Sequence, residues 1–298
     1  MPVRWEDFRR SGNVEDRRGG GFGMPGGGAG GIGIGGLIIL ALLSWVFGID
    51  PSFLLNGGSP GPAPEERPAA QDQARPRDQT ADFVSAVLGD TEDRWKEIFE
   101  RAGQRYAAPR LILFSGVTGS RCGTAQAAMG PFYCPLDRTV YLDTSFFRDL
   151  EARFSGCRGK ACQFAQAYVI SHEVGHHVQN LLDVLPRVQQ LQQQMDQREA
   201  NQLQVRVELQ ADCFAGLWAN RAQAKWNFIE AGDVEAALQT ASAIGDDRLQ
   251  RRSQGRVVPD AFTHGSSAQR VQWFTTGLRD GSIESCNTFQ RDLVGQGQ

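Results

Sequence analysis

The chain carries no excess of positive charge. Its 31 lysines and arginines are outnumbered by 34 acids, a formal charge of -3 over 298 residues. That removes the global basic field on which nucleic-acid binding depends. No C-x-x-C pair occurs among its six cysteines, which argues against a zinc site built from cysteine. No internal repeat is visible. Histidine is scarce, and three of the four histidines lie within six residues. Charge is missing altogether from Ile32 to Ile49, and no basic residue stands between Arg18 and Arg67.

The uncharged run, IGIGGLIILALLSWVFGI, has 18 residues. As a helix it reaches about 27 Å, against a hydrocarbon core of about 30 Å. A buried core helix normally keeps one polar stripe. A cleaved signal peptide would need a shorter positive region without acids and a small-x-small site after Phe47. The run therefore reads as one uncleaved transmembrane helix, 32–49. Arg17 and Arg18 flank it on the N-terminal side, so the positive-inside rule puts residues 1–31 in the cytoplasm and the rest outside. Residues 50–78 hold six of the 13 prolines and read as an extended tether. The expected folded domain is 79–298. The expected location is a bacterial cytoplasmic membrane, with that domain on its outer, periplasmic or extracellular, side.

The cysteines bear on the same question. Cys122, Cys134, Cys157, Cys162, Cys213 and Cys286 all follow the run, and their number is even. Exported domains keep disulfides, whereas cytosolic ones rarely do. Six cysteines allow fifteen pairings. Local pairing would join Cys122 to Cys134 and Cys157 to Cys162, leaving Cys213 for Cys286.

Within 79–298, TADFVSAVLGDTEDRWKEIFERAG reads as two short helices, with Gly89 ending the first and Thr91 capping the second. PRLILFSG reads as a strand, and CGTAQAAMGPFYCPLDRTVYLD as a loop and hairpin ending in the strand TVYLD. There Val140 and Leu142 share one face, with Tyr141 and Asp143 on the other. From Ala161 onward the pattern is helical: about 161–184, then a glutamine-rich amphipathic stretch, then RVELQADCFAGLWANRAQAKW, then DVEAALQTASAIGDDRLQ. A last helix follows Ser266, with Gln269 completing a capping box. The fold class is α+β, mostly α.

The stretch SHEVGHHVQN carries the chemistry. His172 and His176 are four apart, one turn along one helix face, so both imidazoles can reach a single metal ion. Glu173 projects toward the same cavity. This H-E-x-x-H arrangement suits one zinc ion per chain, with Glu173 as the general base that deprotonates water. His177 lies about 100° round the helix from His176 and reads as a packed residue. A catalytic zinc needs a third protein ligand and an open position. In VELQADCFAG, Glu208 and Asp212 are again four apart, among small neighbours that permit close helix approach. Glu208 is the expected ligand, and Asp212 the acceptor of a hydrogen bond from a liganding histidine. The reverse assignment remains open on spacing alone.

SHEVGHHVQN followed by VELQADCFAG resembles the bacterial neutral zinc metallopeptidase family of single-span membrane proteins. RWEDFRRSGNVEDRRG, GPFYCPLDRTVYLD and FTHGSSAQRVQWF are similar to that family as well. The resemblance implies a zincin-like domain with a small β-sheet and the H-E-x-x-H helix, and a gluzincin-like metalloendopeptidase that hydrolyses peptide or protein substrates. More distant membrane-linked peptidases with the same two helices use the glutamate as third ligand, which supports Glu208. The strand Val140, Tyr141, Leu142 is the candidate to pair with an extended substrate, with a plain interior strand as the equal alternative. His264, the histidine outside the cluster, is a candidate to stabilise the oxyanion, with a capping or packing role as the alternative. Two rival readings share these residues: a non-catalytic, zinc-stabilised envelope protein that binds partners, and a zinc amidase acting on cell-wall peptide.

Overall fold

The computed structural model describes residues 5–18, 78–126, 130–153, 162–229, 233–243, 257–259 and 262–289. It is a mostly helical α+β body with one four-stranded sheet and one two-stranded hairpin. Its strands are β1 (Val14–Asp16), β2 (Arg110–Phe114), β3 (Val117–Ser120), β4 (Gly123–Gln126), β5 (Phe132–Cys134) and β6 (Thr139–Asp143). Its helices are α1 (Gln79–Arg101), α2 (Ser145–Arg153), α3 (Cys162–Leu181), α4 (Val184–Gln192), α5 (Gln197–Trp226), α6 (Asp233–Ala243) and α7 (Ser267–Asp280).

The main sheet runs β1-β2-β6-β5, with β1, β2 and β6 parallel and β5 antiparallel to β6. Alternation sorts its side chains onto two faces. Leu111, Leu113, Val140 and Leu142 join the main core with the helices, while Ile112, Phe114 and Tyr141 pack with Ala125 and Cys134. Both faces are covered, so β6 is buried along its whole length.

The described part of the first 31 residues belongs to this body. A 3-10 turn (Trp5–Asp7) and β1 pack with residues from 78 onward as one compact unit. Trp5 meets Phe83 edge-on at 5.4 Å, and Phe8 meets Phe228 at the same distance. Burial of each ring contributes on the order of 2–3 kcal/mol. Glu92 of α1 accepts from Ser11, Asn13 and Arg9, and Arg10 forks onto Asp82. Arg18 pairs with Asp78, so the two chain segments flanking residues 19–77 meet. Residues 5–18 thus share one body with the expected domain 79–298. The expected span 32–49 and tether 50–78 lie outside the described residues, apart from Asp78. Among the described residues no helix is long and apolar enough to cross a membrane.

Two helix boundaries also differ from expectation. Gly89 ends nothing: α1 runs through it from its cap at Asp78. Glycine is required there because a Cβ would come within 2.1 Å of the Arg9 carbonyl oxygen. The glutamine-rich stretch is not one helix but the end of α4 and the start of α5, separated where Asp196 caps α5 in a box with Glu199. Asp196 takes the backbone N–H that a continuous helix would have used.

Disulfides join Cys122 to Cys134 and Cys213 to Cys286. Cys162 is disulfide-bonded as well. Cys157 lies outside the described residues, and its expected pairing with it.

Candidate metal centre

Helix α3 places the histidine stretch in the middle of the body, packed against α1, α4, α5 and α6. Its approach to α5 is close at Gly175, where a Cβ would stand 3.0 Å from the Ala211 carbonyl oxygen. Any larger residue would push α5, and with it Glu208 and Asp212, away from the histidines.

Across that contact, His172 Nε2 lies 3.3 Å and His176 Nε2 3.5 Å from Glu208 Oε2. The ligand atoms of these three residues lie within 4.8 Å of one another. In a tetrahedral zinc site with bonds of about 2.1 Å, ligand atoms sit about 3.4 Å apart. The donor set therefore fits zinc in chemistry, both distances to Glu208 match that spacing, and three protein donors leave a fourth position open.

Each histidine is also oriented. His172 Nδ1 donates to Asp212 at 2.9 Å, and His176 Nδ1 donates to Gln179 Oε1 at 2.9 Å. A carboxylate and an amide oxygen only accept, so both rings carry a proton on Nδ1, which makes Nε2 the ligand atom once the imidazole is neutral. Gln179 is held in turn by Val207 and Gln210, and Gln204 donates to Glu208 Oε1. Asp212 is fully buried behind His172 and stands outside the ligand group. Its carboxylate accepts from Tyr168 at 2.6 Å and is gripped on both oxygens by Arg270.

The charges follow from this packing. Burial opposes ionisation of Asp212, but Arg270 and His172 outweigh it and hold the carboxyl down at about 2. Burial likewise opposes charge on His172, yet Asp212 and Glu208 raise it to about 10. Glu208 is lowered well below the usual range against its own burial, by His176 and His172. Without metal the acids thus draw protons onto the imidazoles, and zinc binding must release them. Glu173 differs: burial is the largest influence and raises its carboxyl, with Glu208 adding to the rise and the histidines opposing it.

A cavity of about 490 Å³ opens over these groups. His172, Glu173, His176 and Glu208 line one part, and Phe132, Tyr133, Phe146, Val169, Leu185 and Val207 give it apolar walls. His264 borders it from the start of α7, exposed, with its Nδ1 3.0 Å from Thr263 Oγ1. His177 faces away: its Nε2 donates to the Ala107 carbonyl and its Nδ1 accepts from Tyr133.

The expected substrate strand is corrected. Val140, Tyr141 and Leu142 lie on β6, which pairs with β2 on one side and β5 on the other, so it has no open edge. Among the described residues β5 is paired on one side only, and its Phe132 and Tyr133 line the cavity. Arg270 and Gln179 were not singled out in the sequence. Gln179 carried a signal, since it stands three residues after His176 on the same helix face. Arg270, on another helix 58 residues beyond Asp212, carried none.

Residues 3–289 match the family described as "Putative neutral zinc metallopeptidase". The chain belongs to this family. It is 47% identical over 305 aligned residues to "Uncharacterized protein YpfJ" of Escherichia coli strain K12, covering 98% of this chain and 100% of the relative. It is 45% identical over 199 residues to "Uncharacterized protein Mb2605" of Mycobacterium bovis, covering 64% of this chain and 65% of that one. No solved structure matches significantly. The match to this metallopeptidase family includes residues 5–18 as well as both helices of the metal centre.

Proposed function

We propose that the chain is a zinc-dependent peptidase, with His172, His176 and Glu208 as metal ligands and Glu173 as general base. The observation that carries this is the convergence of three ligand atoms beside a buried glutamate in one open cavity. Zinc held there supplies Lewis acidity, polarising a peptide carbonyl and acidifying water. The chain's own groups do the rest. Glu173, its affinity for protons raised by burial, takes a proton from the attacking water and passes it to the leaving amine. His264 borders the cavity as a candidate donor to the oxyanion. The open edge of β5 takes the place first given to β6: an extended peptide pairs along it, its side chains against the apolar wall. Asp212 and Gln179 hold the two ligand rings.

The disulfides support an oxidising compartment outside the cytoplasm. Residues 5–18 share that compartment with the cavity. Any membrane attachment through 32–49 then has both its flanks on one side.

Glu173→Gln tests the mechanism. The variant should fold and bind zinc stoichiometrically but lose peptide hydrolysis. Unchanged turnover would sink the proposal.

A further inference from the structure

The geometry points to Arg270 as a positioning residue of the metal centre, acting through Asp212 on His172. The inference rests on the zinc reading above. Arg270 is buried, with 2% of its surface exposed, and Asp212 is at 0%. Its Nε donates to Asp212 Oδ2 at 2.8 Å and its Nη2 to Oδ1 at 2.9 Å. Nη2 also reaches Tyr168 Oη at 3.2 Å, and that hydroxyl donates to Asp212 Oδ1. Arg270, Tyr168 and His172 together surround the Asp212 carboxylate.

A carboxylate in such a dry place needs a compensating charge, which the guanidinium supplies. A point charge would suffice for compensation alone. The planar fork does more, because two parallel bonds fix the plane of the carboxylate as well as its position. Once that plane is fixed, Oδ1 faces His172 Nδ1, and the ring presents Nε2 to the side where Glu208 lies. Buried ion pairs add little net stability over apolar replacements, so stability alone is a poor account of the arrangement.

The surrounding framework keeps the fork in reach. Helix α7, which carries Arg270, crosses α5 so closely at Gly277 that a Cβ would fall 1.9 Å from the Cys213 carbonyl oxygen. Cys213 follows Asp212 directly and is bonded to Cys286 just beyond α7. The two helices are thus locked beside the residue that carries the carboxylate and about two turns along α7 from the guanidinium.

Arg270 also borders the cavity, so contact with substrate is the competing role. The experiment measures zinc affinity by chelator competition on the full chain, alongside thermal melting of the metal-free protein. The proteins are the unaltered chain, R270K, R270Q, D212N and the R270Q/D212N pair. R270K keeps the charge without the fork. It should lower zinc affinity about 10- to 100-fold, as loss of a group supporting a ligand does. R270Q should do the same, and in the D212N background it should cost nothing further. Retained zinc affinity in R270K and R270Q with hydrolysis lost would overturn the proposal in favour of substrate contact. A lowered melting temperature with zinc affinity intact would reduce Arg270 to packing and overturn it equally, as would losses that multiply in the double variant. Failure of the unaltered chain to bind zinc would instead sink the zinc reading, before any variant is made.

Discussion

The carbonyl oxygen of Arg9 occupies the space a side chain at position 89 would need, 2.1 Å from where the Cβ of any residue other than glycine would stand. Gly89→Ala therefore sets two effects against each other. Alanine in place of glycine favours a helix interior by about 1 kcal/mol. Overpacking against backbone costs about 1–3 kcal/mol, and here it also pulls on the contacts of Ser11 and Asn13 with Glu92. We expect net destabilisation in chemical denaturation, with residues 5–18 becoming sensitive to protease. A stabilised variant would show that this segment does not pack on α1.

Sidedness follows from the same packing. Glu6 and Arg105 are both exposed. Cysteines introduced there, one at a time, should react alike with a membrane-impermeant maleimide on intact cells. Labelling of one and protection of the other would restore a single crossing and remove β1 from the sheet.

Glu208 and Asp212 stand one turn apart but play different parts. Glu208→Ala removes one of three ligand atoms and should abolish stoichiometric zinc in metal analysis. Retained zinc would move the third ligand elsewhere.

His177 predicts an acid limit. Burial pushes its imidazole down to about 4 from 6.5, against a hydrogen bond to Ala107 that works the other way. The unfolded chain takes up this proton first, so stability is full above pH 6.5, falls as pH drops from 6.5 to 4, and levels off below. The loss amounts to about 3 kcal/mol. In His177→Gln that slope should be absent. Other histidines titrate in both proteins and cancel from the difference, which should therefore vary across this window. A constant difference would refute the assignment.

The metal centre was legible because its spacing is local. His172 and His176 share a face by helix geometry alone, and so do Glu208 and Asp212. Even the small residues between the helices were readable, with Gly175 and Ala211 now in contact. Contacts made across long stretches of chain were not. Trp5 and Phe8 sit in an arginine-rich segment before an apolar run, and charge at that position reads as a membrane flank. Only their i, i+3 spacing hinted at a buried face. Similarly, TVYLD has residues suited to either an edge or an interior strand. What decides between them is β2 on one side and β5 on the other, and neither partner is written in the strand itself.

The pairing of Val14 with Leu111 also has a history in time. During synthesis at about 5–20 residues per second, the partner of β1 follows it by about 5–20 s. Trp5 waits about 4–16 s for Phe83, and Phe8 about 11–44 s for Phe228. If the protein is exported, they must also reach the far side of the membrane before they can be covered. The segment made early is thus among the late ones to be secured, and a chain stalled halfway through translocation could not assemble the four-stranded sheet.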